Sequence, residues 1–500
     1  MRLSHILNSI TPCETDGNSD PEIVDLAYDS RQVKPGGLFV ALKGYSQDGH
    51  AFIRNAIENG AVAVVGESFE NGGRTHKDII WVKVPDSRRA LPKLAANFYD
   101  HPVENMHLVG ITGTNGKTTT SYLLESILLA AGRSPGVIGT INYRYPGKTW
   151  KATVTTPGSL ELMQTFREMA DAGVSDVVME VSSHALDQGR VEECPFRVAV
   201  FTNITRDHLD YHHSMEKYFK AKSLLFQDLR DSSRAVINGD DPRGRDLAEI
   251  SDAPVMTYGL GKNCHVRADH IRSSRAGISA KLITPSAQTE IRSSLIGDFN
   301  IYNILAASAA ALCMGIDMGD IKDGIRQIKG VPGRLESVEN RQSLTIIVDY
   351  AHTPDALIKT LGSVGSLVEK GHVITVFGCG GDRDKGKRRE MGYAAGRHSD
   401  WVVVTSDNPR SEDPDEIIAQ IEKGVIEAGM EMIETSSADG LKSSGYIIDP
   451  DRGSAIRKAI EMADKSDIIL IAGKGHEDYQ IIGKNKRHFD DREVAAEAAS

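Results

Sequence analysis

The chain has 500 residues, 40% of them hydrophobic and 25% charged, with a formal net charge of −11. That length exceeds what one hydrophobic core organises, so about two to four domains are expected. The acidic balance argues against a general nucleic-acid or membrane-surface binder, while local Arg and Lys still allow an anionic small-molecule substrate.

The opening stretch, MRLSHILNSITPCETDGNSD, holds no apolar segment of secretory-signal length, and no signal peptide is expected. Beyond it, short apolar runs alternate with helical patterns, which signals βαβ units and mainly parallel sheets. GLFVALKG (37–44) and AVAVVG (61–66) are predicted strands flanking the helical DGHAFIRNAIENG. MHLVGI (106–111) opens a second series, continued by DVVMEVSS (176–183) and VAVFTNI (198–204). ILAASAAALCMGI (304–316) is too short to span a bilayer and reads as a buried helix. After the Gly/Pro punctuation KGVPGRLE comes a third series: TIIVDY (345–350), VITVFG (373–378), WVVVTS (401–406) and IILIAG (468–473). The expected fold is α/β in three domains, with boundaries near residues 106 and 334: 1–106, 107–334 and 335–500. The five cysteines, Cys13, Cys194, Cys264, Cys313 and Cys379, are odd in number, scattered and without a CxxC, which fits reduced thiols in a cytosol.

The most informative stretch is LVGITGTNGKTTTSYLLESILLAAG (108–132). An apolar strand enters a Gly-rich turn, then a helix carrying Tyr122, Leu123, Leu124, Ile127 and Leu128, stopped by Gly132. Gly113 and Gly116 let backbone N–H groups and a helix N-terminus approach a polyphosphate. Lys117 would neutralise phosphate charge, and Thr118 would ligate Mg²⁺. The common template needs Gly where Ile111 stands, so this is the variant G-T-N-G-K-T-T. Downstream, VVMEVSSHALDQGRV places Glu180 at a strand end. TNITRDHLDYHHSMEKYFKAKSLLF places His208 in a turn and Lys222 on the following helix. A carboxylate and an imidazole there suit a metal, although His is softer than Mg²⁺ usually takes, and such a residue taken singly is more often a hydrogen-bonded loop histidine.

GTNGKTT (113–119), MEVSSHAL (179–186), RDHLDYH (206–212), GDFNIYN (297–303), PGRLE (332–336) and DYAHTP (349–354) together resemble the Mur ligase family, ATP-dependent amide-forming enzymes of peptidoglycan precursor synthesis. The resemblance runs from DSR (29–31) to GKGHEDYQ (473–480). It implies a small N-terminal uridine-nucleotide-binding domain, a central P-loop ATPase domain with a mainly parallel sheet, and a C-terminal Rossmann-like domain. It also implies a bacterial cytoplasmic monomer that uses ATP and two Mg²⁺ ions, with neither nucleic acid nor membrane as partner.

Within the family the chain is most similar to the branch acting on UDP-N-acetylmuramoyl-L-alanyl-D-glutamate. Carried over residue by residue, the ATP contacts are Gly113, Thr114, Asn115, Gly116, Lys117, Thr118 and Thr119, with Asn300 and Asn303 on the adenine side, Arg334 at phosphate and Asp349 at ribose. The UDP-substrate contacts are Ser30, Tyr45, Ser46, Gln47, Thr155, Thr156, Ser182, Gln188 and Arg190; each hydroxyl among them also reads as a cap or strand-end group. Thr118 and Glu180 would hold one ion, and His208 with a carbamylated Lys222 the other. Lys117, Glu180, His208 and Lys222 are the expected catalytic set.

Four predicted strands of the third domain end in polar turns, DYAHTP, GCGGDRDKGKR, TSDNPR and AGKGHED. In an open α/β sheet, ligands bind outside the carboxyl ends of strands. The resemblance implies that this rim receives the incoming amino acid, through Arg383, Asp407, Asn408, Pro409, Arg410, Gly473 and Glu477. DNPR resembles the version selecting meso-diaminopimelate. Arg410 offers a planar fork for its distal carboxylate, Asn408 a hydrogen bond, and Asp407 and Glu477 an acidic place for its ammonium. Asp413, rather than Asp407, is the expected cap of the helix that follows. The alternatives are a lysine-adding relative, a folylpolyglutamate synthase-like ligase and, from another class, an ATP-driven switch that forms no bond.

Overall fold

The computed structural model describes all residues except 13, 45–46, 70–77, 228 and 434–443. Its strands form three principal sheets in chain order. The first has five strands in the order Glu14–Asp16, Ile80–Lys83, Ala61–Gly66, Gly37–Val40, Asp25–Ala27. All of its pairings are parallel except that of Glu14–Asp16.

The second sheet has eleven strands. Its centre is parallel and includes Phe196–Phe201, His107–Thr112 and Asp176–Glu180 as neighbours. Both flanks turn antiparallel: Pro135–Ile138, Asn142–Tyr145 and Lys148–Lys151 on one side, Val266–Ser274, Gly277–Ile283 and Gln288–Ser293 on the other. The parallel centre matches the expectation from alternating elements. The antiparallel flanks were not anticipated, although Pro146–Gly147 carries ordinary turn chemistry between two short strands. The third sheet runs Glu336–Ser337, Thr345–Asp349, Ile468–Ala472, Val373–Phe377, Trp401–Val404, Gly445–Ile448, parallel except at Glu336–Ser337.

The parallel strands are continuous apolar runs because helices cover both faces. Val373–Phe377, Trp401–Val404 and Ile468–Ala472 are buried at every residue. Helix Asn300–Cys313 is the predicted buried helix, with eleven of its residues inside. Helix Lys117–Ala130 lies between it and helix Met318–Gln327 and packs on both. The second contact is very close: a Cβ on Gly324 would stand 2.4 Å from the Ile127 Cα. Ser126 Oγ donates to the Gly324 carbonyl there at 2.8 Å. Asp413 caps helix Pro414–Glu427 as expected, accepting from Asp415 N.

Arg275, at a central hairpin tip, donates to Leu367 O, Thr345 Oγ1 and Ser466 O at the base of the third sheet. Lys151 on the opposite flank pairs with Asp478. Among the described residues no helix is long and apolar enough to cross a membrane. Cys194, Cys264, Cys313 and Cys379 are free thiols, and Cys13 lies outside the described residues.

Candidate functional site

The Gly-rich turn follows strand His107–Thr112 and opens helix Lys117–Ala130. Gly113 (φ 146°) and Gly116 (φ 88°) take conformations that L side chains avoid. A Cβ on Gly113 would lie 1.9 Å from Thr202 Oγ1. The end of strand Phe196–Phe201 holds the turn from outside: Asn115 N donates to Asn203 Oδ1 at 3.0 Å, and Thr202 Oγ1 donates to Asn115 O at 2.6 Å. Thr114 Oγ1 accepts from Thr205 N at 3.0 Å, and Thr119 is buried. Backbone N–H groups at a helix N-terminus suit an anion.

Glu180 ends its strand 1% exposed. Its Oε2 accepts Thr118 Oγ1 at 3.0 Å and Thr140 Oγ1 at 2.8 Å, and its Oε1 accepts Thr140 N at 3.0 Å. The Lys117 ammonium folds back onto Gly113 O (2.8 Å) and Thr114 O (2.9 Å). Burial holds it below the ordinary lysine range, against the pull of Glu180.

Lys222 is not the solvated lysine that a surface helix would carry. It is 1% exposed, and its Nζ donates to the same Gly113 O at 2.9 Å. Burial, then the charge of Lys117, pushes it well below the usual range, which favours a neutral amine. Lys220, two positions earlier, is exposed. His208 stands at the N-terminal boundary of helix Leu209–His212 in a left-handed conformation (φ 53°), its side chain making no capping bond. Burial lowers its pKa, with Asp207 opposing.

Among the described residues no three His, Cys, Asp or Glu side chains group as a metal site. The Thr118–Glu180 pair nevertheless fits Mg²⁺, a hard ion held by few protein oxygens with substrate phosphates completing its shell.

From beyond the central sheet, Arg334 reaches the same place. Its Nη2 lies 3.5 Å from Thr118 Oγ1, its guanidinium stacks 4.6 Å from the Tyr350 ring, and its Nε is buried without a partner. Asp355, at the start of helix Pro354–Ser366, accepts from Thr205 Oγ1 at 3.1 Å and Asn115 Nδ2 at 3.4 Å. Neither Asp355 nor Thr140 was singled out from the sequence. Asn303 lies beneath the loop, its Oδ1 3.5 Å from Thr120 Oγ1 and its Nδ2 donating to Asn300 Oδ1 at 2.7 Å. Asn300 donates to Ile296 O at 2.7 Å. Asp349 accepts from Leu335 N, Ala351 N and Thr360 Oγ1, and burial raises its pKa.

Between the first and second sheets lies a cavity of about 670 Å³ whose lining includes Tyr28, Arg88, Trp150, Lys151, Gln188 and Arg190. Arg190 Nη1 donates to Thr156 O at 2.8 Å, and Nη2 to Gln188 Oε1 at 2.6 Å. Thr156 Oγ1 donates to Glu180 O at 2.9 Å and accepts from Ser182 N at 3.0 Å. Ser182 is itself a helix N-cap. Thr155 Oγ1 is 3.2 Å from Thr140 Oγ1. Ser30 is buried, its carbonyl accepting Asn59 Nδ2 at 2.8 Å. Gln47 is a described loop residue, whereas Tyr45 and Ser46 lie outside the described residues.

At the third sheet the four polar turns do share one rim, because their strands run parallel. Asn408 Nδ2 donates to Glu477 Oε2 at 2.9 Å, and a Cβ on Gly473 would meet Asp407 Oδ2 at 2.8 Å. Arg410 Nη1 donates to Gly381 O at 2.7 Å, and Arg383 Nη1 to Asp382 O at 3.1 Å. The acidic pair is not vacant as expected. Lys474, fully buried, stands 3.3 Å from Glu477 Oε2 and 4.0 Å from Asp407 Oδ1. Burial, then Asp407, raises Glu477, with Lys474 opposing. The signal for Lys474 was present in the AGKGHED turn, as a lysine between two glycines at a strand end.

Family models match residues 22–99 (Mur ligase family, catalytic domain), 111–311 (Mur ligase middle domain) and 333–475 (Mur ligase, glutamate ligase domain). A curated relative from Geobacter metallireducens, named UDP-N-acetylmuramoyl-L-alanyl-D-glutamate--2,6-diaminopimelate ligase, is 49% identical, covering 100% of this chain and 98% of its own. A solved structure titled as that same ligase is 33% identical with a TM-score of 0.68, covering 95% of this chain and 94% of the other. Mycobacterium tuberculosis folylpolyglutamate synthase, solved with ADP and AMPPCP, shares the fold at 19% identity and TM-score 0.61, covering 77% of this chain and 92% of its own. With its phosphate loop, buried acid and strand-end rim in that order along one chain, and with relatives matched from end to end, this chain belongs to the Mur ligase family.

Proposed function

We propose that the protein joins meso-2,6-diaminopimelate to the D-Glu γ-carboxylate of UDP-N-acetylmuramoyl-L-alanyl-D-glutamate, at the expense of ATP, in peptidoglycan precursor synthesis. The observation that carries this reading is end-to-end similarity at 49% identity to a ligase of that name. The rim of the third sheet supports it, since Arg410 and Glu477 offer opposite charges to an amino acid with a zwitterionic far end.

A carboxylate is a poor acyl donor because its leaving group would be oxide. Its oxygen therefore first attacks the ATP γ-phosphorus, ADP departs, and an acyl phosphate forms. The neutral amine of diaminopimelate then attacks the carbonyl carbon, the amide bond forms, and phosphate and a proton leave. The first step brings two anions together, so cations must cancel their repulsion. Lys117 turns from its loop carbonyls to the γ-phosphate, and Arg334 approaches from the second domain boundary. The loop N–H groups hold the remaining phosphates. Mg²⁺, held by Thr118 and Glu180 and, at a second position, by His208 and carbamylated Lys222, would supply further charge neutralisation. Lys222 accepts CO₂ as a neutral amine, gaining an N–C bond and losing a proton, and its burial beside Lys117 favours that form.

The cavity beside Gln188 and Arg190 takes the UDP-linked substrate, with Ser30 and Gln47 as uridine contacts. With boundaries taken near 106 and 334, the UDP-linked substrate lies between the first and second units and ATP between the second and third. The test is mass spectrometry of the product formed from ATP, the UDP-linked dipeptide and either diaminopimelate or lysine. The expected product carries diaminopimelate. An equal yield with lysine, or no adduct, overturns the assignment.

A further inference from the structure

Five of the seven residues proposed to meet diaminopimelate, Arg383 and Asp407 to Arg410, sit on two loops, and a single ion pair behind them touches both. Arg388, on helix Gly386–His398, has no exposed surface. Its guanidinium makes two bonds to the Glu412 carboxylate, Nη1 to Oε2 at 2.9 Å and Nη2 to Oε1 at 2.8 Å. Nη2 also donates to Gly380 O at 3.2 Å, and Nη1 to Gln420 Oε1 at 3.0 Å. Glu412 in turn accepts Asp382 N at 2.6 Å, and its own N donates to Pro409 O at 3.1 Å. The loops are laced together between these points: Gly381 N donates to Asn408 O at 2.9 Å, and Ser411 Oγ to Asp382 Oδ1 at 2.6 Å.

We propose that Arg388 and Glu412 are positioning residues for amino-acid selection, a clamp that sets the gap between the Gly380–Arg383 loop and the Asn408–Glu412 turn and so aims the Arg410 fork. This rests on the diaminopimelate reading above. Arg410 has φ 53°, a left-handed conformation that costs a side-chain-bearing residue free energy and persists only when its surroundings impose it. On its far side, Arg410 N donates to Ile481 O, and Gly483 N to Arg410 O. On its near side Ser411 is bonded to the Asp382 carboxylate, and Glu412, two residues on, is gripped by Arg388 and paired with Lys385 at 3.2 Å. A bidentate contact needs two N–H groups to meet two oxygens at once, so a small shift of the turn costs more than a shift at a point charge would. The bonds from Arg388, then from the Asp382 N–H, hold the Glu412 carboxyl down at about 2, so near neutral pH the clamp is an ion pair. Arg388 itself, sealed beneath the loops, acts only through Arg410.

The test is steady-state kinetics of wild type, Glu412→Gln and Arg388→Lys with diaminopimelate and with lysine, at saturating ATP and UDP-linked dipeptide, beside thermal unfolding of each. Each variant is expected to raise KM for diaminopimelate about 10- to 100-fold, the loss typical of a misplaced contact. KM for ATP and for the dipeptide stays unchanged, as does the residual turnover of lysine, which has no distal carboxylate. The preference for diaminopimelate therefore collapses. Glu412→Gln keeps the side chain's shape and carries the test where Arg388→Lys unfolds. Equal losses with both amino acids, or an unchanged KM for diaminopimelate, overturn the clamp alone. Wild type that fails to use diaminopimelate overturns the functional reading and the clamp with it.

Discussion

The phosphate loop and the rim of the third sheet both face anions but are built from different material. The loop is contiguous, seven residues from Gly113 to Thr119, and its donors are mostly backbone. Its two glycines and the helix behind it create the site, and Lys117 and Glu180 adjust its charge. The rim draws Asp407, Asn408, Arg410, Lys474 and Glu477 from strand ends far apart in sequence, and its donors are side chains held by other side chains. A backbone site binds a chemical class, here phosphate, with little discrimination beyond it. A side-chain site distinguishes one amino acid from another, because each contact can be left unpaired by the wrong one.

That contrast is open to attack, and the largest effect is expected at Lys117. Lys117→Ala removes the loop's own cation from the γ-phosphate and should lower kcat about 10³-fold or more. Near-normal product formation by this variant would take the loop out of the chemistry. At the rim, Arg410→Ala should lower kcat/KM for diaminopimelate about 30- to 1000-fold, or about 2–4 kcal/mol, while barely touching lysine. Arg410→Lys should not restore it, since an ammonium lacks the fork. An equal loss for both amino acids would move Arg410 from selection to support of the fold.

Lys222→Ala should cost about 10- to 100-fold, as removal of a supporting ligand does, and short carboxylates should restore part of the rate. Wild type exposed to isotope-labelled bicarbonate should show a carbamate carbon that the variant lacks; wild-type rates in the variant would remove Lys222 from the site. The smallest effect separates two acids on one turn. Asp413→Ala should cost about 1 kcal/mol of stability through the lost helix cap and leave diaminopimelate kinetics alone. A raised KM for diaminopimelate in this variant would mean that the cap and the site are not separable.

The same contrast decided what could be read from the sequence. The phosphate loop was legible because strand, turn and helix are consecutive, and so was the burial of helix Asn300–Cys313, from the weakly polar run that begins at Ile304. The shared rim was legible because parallel strands point all their carboxyl ends one way. The burial of Lys222 was not: a helix lysine looks solvated until the phosphate loop and the Tyr218 ring pack against it. Lys474 was missed because its charge matters only once the strand ends of Trp401–Val404 and Ile468–Ala472 bring Asp407 and Glu477 beside it. Thr140 and Asp355 carry no local pattern, and only the packing of distant segments brings them to Glu180 and Asn115.

Gly324 sets the distance between two helices, and this gives the nucleotide site a dependence on a residue that touches no ligand. A methyl there would stand 2.4 Å from the Ile127 Cα, a backbone atom that cannot swing aside as a side-chain tip would. The glycine costs helix Met318–Gln327 about 1 kcal/mol relative to alanine, so local propensity alone would favour its loss. Alanine at this position would act as a wedge, prising helix Lys117–Ala130 away and carrying with it the turn that begins at its first residue. The place for the triphosphate is thus gauged from behind, by the absence of one carbon atom.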